Sequence, residues 1–172
     1  MRLGRAILPL LRTTTTTTTP ASPPPPVLRV GGAPLTERRR FTEADVAAYA
    51  AVSGDRNPVH LDDGFARGVA GFERGRVVHG MLVASLFPSV IAARFPGAVY
   101  ASQSLKFTAP VFVGDEVIAQ VQALHIRETA ANSSGTNRYV VKFATKCFTD
   151  EEGGFLAIDG EAMAILPTLE LR

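Results

Sequence analysis

Between residues 79 and 95 the chain is apolar on every side, and after residue 98 its period changes. Met81, Leu82, Val83, Leu86, Phe87, Val90 and Ile91 project in all directions around a helix. Their spacing therefore predicts a helix over 79–95 that is buried all round. The segment is shorter than the roughly 20 residues a membrane span needs, and it contains His79 and Pro88, so membrane insertion is rejected. Pro88 has no N–H to offer the Ala84 carbonyl, which predicts a kink or break at that position. From residue 98 onward apolar residues alternate with polar ones. Val99, Ala101, Leu105 and Phe107 form one such series, and Val117, Ala119, Val121 and Ala123 a second. Tyr139, Val141, Phe143 and Cys147 make the third, and Leu156, Ile158, Ala162, Ala164 and Leu166 the fourth. Period two means strands with one buried face, which is the antiparallel pattern. A meander of such strands after one fully apolar helix can bury both only if the sheet wraps the helix, an α+β arrangement.

The remaining signals set the borders of this unit. Thr42-Glu43-Ala44-Asp45 is a capping-box pattern that starts a helix. Val46, Tyr49, Ala50 and Val52 share one face of it, and Gly54 is placed to end it. Asp62 and Asp63 are expected to cap a short helix in which Phe65 and Val69 pack inward. Pro110 marks a bulge or bend in the first strand, and Gly114-Asp115, Asn132–Thr136 and Asp150–Gly154 read as turns.

Charge separates the chain into two parts. Residues 1–36 hold Arg2, Arg5, Arg12 and Arg29 and no acid, while the remainder of the 18 basic and 16 acidic residues leaves 14 against 16. An Arg-bearing, acid-free, hydroxyl-rich segment has the composition of a mitochondrial transit peptide. Pro23–Pro26 would follow it as a polyproline spacer. The expected division is thus a leader and linker over 1–36 and one folded domain over 37–172. With the folded part slightly acidic, nucleic acid is not an expected partner; Arg38-Arg39-Arg40 reads as a solvated entry to the first helix. A single cysteine excludes an internal disulfide framework. Neither C-x-x-C nor H-E-x-x-H occurs, so no metal is expected.

Chemistry concentrates in Ser53–Met81, which reads SGDRNPVH and later VVHGM. Asp55 and His60 would stand about 16 Å apart on an extended chain, so they meet only if the chain turns. Asn57-Pro58 supplies that turn. A converging carboxylate and imidazole can hold one water, one group taking a proton and the other giving one. Gly80 opens the apolar helix, where the first N–H groups have no intrahelical partner. One of them can polarise a thioester oxygen, and a residue without a side chain lets it approach closely. Asn57 either orients this pair or only makes the turn. Ser53 lacks a nucleophile-elbow context, and His79, His125 and Cys147 read as structural.

The stretch FTEADVAAYAAVSGDRNPVHLD followed by GFERGRVVHGML resembles the MaoC-like, (R)-specific enoyl-thioester hydratases, whose signature is S-G-D-x-N-P-x-H and then H-G-M/L. LKFTAPVFVGDEV resembles the strand and turn that follow the central helix in that family. The resemblance spans roughly residues 36–167. It implies a hot-dog fold, a homodimer with a continuous sheet, and reversible hydration of an acyl thioester carried by acyl carrier protein or CoA. It implies no metal or redox cofactor. The site residues it points to are Asp55, His60, Asn57 and Gly80, and with the leader it implies the mitochondrial matrix. A hot-dog thioesterase and a non-catalytic acyl-thioester binding module are the competing readings.

Overall fold

The computed structural model describes residues 27–129, 137–149, 154–167 and 169. The proposed leader up to residue 26, and the turns at 132–136 and 150–153, lie outside them. Ten elements follow in order: β1 (Leu35–Arg40), α1 (Glu43–Ser53), α2 (Pro58–Leu61), α3 (Asp63–Gly68), α4 (Gly80–Ala84), α5 (Leu86–Arg94), β2 (Val99–Phe107), β3 (Glu116–Glu128), β4 (Tyr139–Thr149) and β5 (Leu156–Leu166). The strands form one antiparallel sheet in the order β1-β3-β4-β5-β2.

Alternation along the strands sorts side chains as the sequence leads one to expect. Val117, Ala119, Val121, Val141, Phe143, Cys147, Ile158, Ala164 and Leu166 are all buried. They meet Phe87 and Ile91 from α5, and Phe95 just beyond its end, in one core cluster. Burial of this kind stabilises by roughly 25 cal/mol per Å² of apolar surface. Burial also pushes the Cys147 thiol up to about 12, as fits a small hydrophobe rather than a nucleophile.

Four details depart from the sequence expectations. First, the fold begins before residue 37. Leu28 is buried in the core, Gly31 N–H donates to the Ala123 carbonyl at 2.9 Å, and β1 pairs with β3 from Leu35. The arginine run is the end of that strand, where Arg38 pairs with Glu116 and Arg39 with Asp45, both at 3.1 Å. An acid-free composition reports charge, and it is blind to a strand whose partner lies eighty residues away.

Second, the apolar segment is two helices, and the break is at Ser85, three residues before Pro88. Proline lacks an N–H, but within the first turn of α5 that N–H would have no partner anyway, so the ring is accommodated there. The cost appears one turn upstream, where Ser85 Oγ donates to the Leu82 carbonyl at 2.6 Å. Nor is the segment buried on all sides, since Met81 is 53% exposed.

Third, the parity of β2 is shifted. A register irregularity between Tyr100 and Ser102 turns Tyr100 inward ahead of it and Gln103 and Leu105 inward after it, and leaves Val99 about half exposed. One extra residue exchanges the faces of a strand. Pro110 stands beyond the end of β2 and not inside it. Fourth, Val52 and Val69 face solvent. Val46 and Ala50 are the buried positions of α1, and Ala66 is that of α3.

Candidate active site

The local structure around Asp55 follows from its caps. Thr42 and Asp45 form the capping box of α1, with Asp45 N–H donating to Thr42 Oγ1 at 3.2 Å and Thr42 N–H to Asp45 Oδ2 at 2.8 Å. The hydrogen bonds from Thr42 hold the Asp45 carboxyl below its usual range, with Arg39 adding to them. Gly54 ends α1 at φ 79°, a left-handed conformation, and its N–H closes on the Ala50 carbonyl at 3.1 Å. The chain then turns. Asn57 N–H donates to Asp55 Oδ1 at 3.1 Å, and Asn57 Oδ1 accepts from Val59 N–H at 3.3 Å, capping α2. Asn57 therefore makes the turn with its side chain and holds the Asp55 carboxylate with its backbone. Asp62 caps α3 by accepting from Phe65 N–H at 2.8 Å.

This folding brings His60 Nε2 to 3.9 Å from Asp55 Oδ2. His60 Nδ1 lies 2.8 Å from the Val77 carbonyl. A carbonyl only accepts, so Nδ1 carries a proton and Nε2 is the nitrogen facing Asp55. At 3.9 Å the two groups are too far apart to bond directly. A water about 2.8 Å from each would subtend roughly 90° between them, standing off the line joining them. The His60 side chain is largely buried and the Asp55 carboxylate about half exposed, so the pair has one wet side.

His79 reads as structural from sequence, and the structure places it against both Asp55 and His60. It is 2% exposed and stacks on His60 with ring centroids 3.7 Å apart and planes 26° from parallel. Its Nε2 lies 3.0 Å from the Asp55 carbonyl, so it donates there, twenty-four residues back along the chain. Tyr49 packs on its other side at 4.9 Å. His79 follows an apolar Val77-Val78 pair that is buried with it, and a buried imidazole needs a partner. That signal was present in the sequence, although the partner was not.

Donor atoms of Asp55, His60 and His79 lie within 4.8 Å of one another. Lone pairs of an imidazole lie in its ring plane, and in two stacked rings they run side by side instead of converging on one ion. His60 Nδ1 and His79 Nε2 are also already engaged. The arrangement suits a water better than a metal.

Gly80 begins α4, and among the described residues its N–H has no acceptor. A Cβ there would stand 2.6 Å from Phe107 Cε1 and 2.8 Å from Cδ1, so any larger residue requires the half-exposed Phe107 ring to shift. Since α4 is five residues long, its dipole is short, and the N–H itself is the polarising group. Asp55, Asn57, His60, His79 and Gly80 all line one cleft of about 540 Å³. Phe72, Phe107 and Pro110 line it too, and the sequence reading had no role for them there.

Residues 27–144 match the family model described as a MaoC like domain. The chain is 53% identical to the mitochondrial 3-hydroxyacyl-[acyl-carrier-protein] dehydratase of Arabidopsis thaliana, over 84% of this chain and 81% of that one. The chain belongs to the MaoC-like family. Within it, the (R)-specific enoyl-CoA hydratase of Aeromonas caviae is 47% identical over 75% of this chain and 89% of its own. The solved structure of an (R)-hydratase from A. caviae, involved in PHA biosynthesis, superposes with a TM-score of 0.70 at 43% identity. It covers 81% of this chain and 98% of that one. An antiparallel sheet packed on an apolar helix is the hot-dog fold, which is named for a solved Mycobacterium tuberculosis structure that superposes with a TM-score of 0.66 at 16% identity.

Proposed function

We propose that this protein is a hydro-lyase that adds water reversibly to a trans-2-enoyl thioester, giving the (R)-3-hydroxyacyl thioester. In the mitochondrial matrix it would run towards dehydration, in fatty-acid synthesis. The observation that carries the reading is the 3.9 Å separation of Asp55 and His60 on the wall of an apolar cleft, the spacing of a shared water. Names of the plant and bacterial relatives support the reaction, and the plant one also the compartment.

Each residue has a part. Asp55 Oδ2 takes a proton from the water as its oxygen attacks C3, and His60 in its imidazolium form gives the Nε2 proton to C2, after which the proton held by Asp55 returns to Nε2. The reverse steps eliminate water. Through both, Val77 accepts from Nδ1–H and keeps Nε2 turned to the cleft. Asn57 holds the carboxylate through its N–H. Gly80 N–H donates to the thioester oxygen as negative charge develops there.

Crotonyl thioesters of CoA and of acyl carrier protein test the reading. Loss of the conjugated double bond without thiol release is the expected result. Thiol release with the double bond intact would mean a thioesterase, and tight binding with neither would mean a binding module.

A homodimer paired through β2 is part of the same proposal. Both β1 and β2 are sheet edges, but β1 ends in Arg38, Arg39 and Arg40, charges that discourage edge pairing. β2 carries one charge, Lys106, and half-exposed Val99 and Phe107. Native mass spectrometry of the protein recovered from mitochondria should give two chains per particle. Each should be shortened by a leader that ends ahead of Leu28, because Leu28 is buried in the core. A monomer retaining Met1 would refute both.

A further inference from the structure

The connection between α3 and α4 crosses the cleft as a strap, and it is fastened more firmly than a loop requires. Val77 N–H donates to the Val59 carbonyl at 3.2 Å, and Val78 N–H to the Val111 carbonyl at 2.7 Å. Val113 N–H returns a bond to the Arg76 carbonyl at 3.0 Å. At its tip Arg74 grips Asp115 with two bonds, Nη2 to Oδ1 at 2.6 Å and Nη1 to Oδ2 at 3.2 Å. The Asp115 side chain is 6% exposed, and its Oδ2 also accepts from Phe112 N–H at 3.0 Å. The Arg74 guanidinium lies 4.5 Å over the Phe112 ring, and Phe72 meets the same ring edge-on at 6.3 Å. A bidentate carboxylate pair fixes orientation as well as distance.

Phe72 is what this clamp holds into the cleft. It lines the same cavity as Asp55 and His60, together with the apolar side chains of Val59, Val77, Pro110 and Val111. Apolar side chains of this kind accept alkyl chain. We propose that Phe72 is the wall that limits how much acyl chain this site accepts, and that the Arg74–Asp115 pair is the positioning element that keeps the wall in place. The inference rests on the acyl-thioester reading of the cleft and adds its specificity determinant. Val77, whose carbonyl fixes His60, belongs to the same strap, so loosening the clamp reaches both wall and imidazole.

The test compares kcat/KM for enoyl-CoA substrates of four and twelve carbons in the full chain. Phe72→Ala should raise the long-to-short ratio on the order of tenfold or more, the scale on which apolar pockets discriminate alkyl length. Phe72→Leu should shift it in the same direction by less. Asp115→Asn keeps an acceptor for Phe112 N–H but loses the ion pair. It should raise the ratio too, and lower kcat on both substrates. Calorimetry with saturated butyryl-CoA and lauroyl-CoA reads the same wall without turnover. A wild-type chain that binds these and hydrates nothing would defeat the hydratase reading alone. A folded Phe72→Ala chain whose ratio and relative affinities stay within twofold of wild type would overturn the wall. Unfolding of both Phe72 variants would overturn it equally, by making Phe72 a core residue. If Asp115→Asn lowers only the melting temperature, the clamp is structural and not positioning.

Discussion

Asp55→Asn should lower turnover by about 10²–10⁴-fold while leaving the fold intact. The amide keeps the size of the carboxylate, and its oxygen can still accept from Asn57 N–H, so the turn survives. What it loses is the basic oxygen that faces His60 across 3.9 Å. His60→Ala should cost a similar factor, since it removes the second group proposed to hold the shared water. If the two act on one water in one transition state, their losses do not add. The double variant should therefore be little worse than the poorer single one. Circular dichroism must show all three folded, because His60 is also half of the ring stack with His79. Near-normal hydration by a folded Asp55→Asn chain would sink the dyad.

Removing the Gly80 N–H should cost about 10²–10³-fold, the usual worth of one oxyanion donor. Proline is the substitution that removes it, and the first turn of a helix tolerates proline because that N–H has no intrahelical partner. His79 already has φ −55° and ψ 126°, in the extended region that a residue before proline prefers. The obstacle is Phe107, whose ring would crowd any Cβ at position 80. The comparison is therefore made in a Phe107→Ala background. There, Gly80→Ala keeps the N–H and Gly80→Pro does not. Equal kcat in those two chains would show that Gly80 is needed for room and not for its hydrogen bond. In the natural background Gly80→Ala should itself be impaired, through the 2.6 Å approach to Phe107.

Strand alternation, the apolar central segment and the spacing D-x-N-P-x-H were all legible along the chain, because each is a property of neighbours in sequence. Period two assigns a face to Val117, Val141 or Ile158 without reference to anything distant. The capping box at Thr42 and the turn at Asn57 are closed within three residues and were foreseen for the same reason. Contacts over longer separations were not foreseen. β1 lies next to β3 in the sheet, and nothing in residues 35–40 announces a partner at 116–121. A one-residue shift in β2 turned Tyr100 inward and left Val99 exposed, because alternation tells apart two faces but not which of them a bulge selects. His79 became the link between Asp55 and His60 through a carbonyl twenty-four residues away, and Phe72 became a wall through Phe112 and the Arg74–Asp115 pair. Sequence by itself thus determined which groups the turn at Asn57-Pro58 brings together and which faces of β3, β4 and β5 are buried, since local backbone geometry dictates both. Only the tertiary structure decided the 3.9 Å gap, the tautomer of His60 and the shape of the cleft, because each depends on atoms brought together by packing and not by the chain between them.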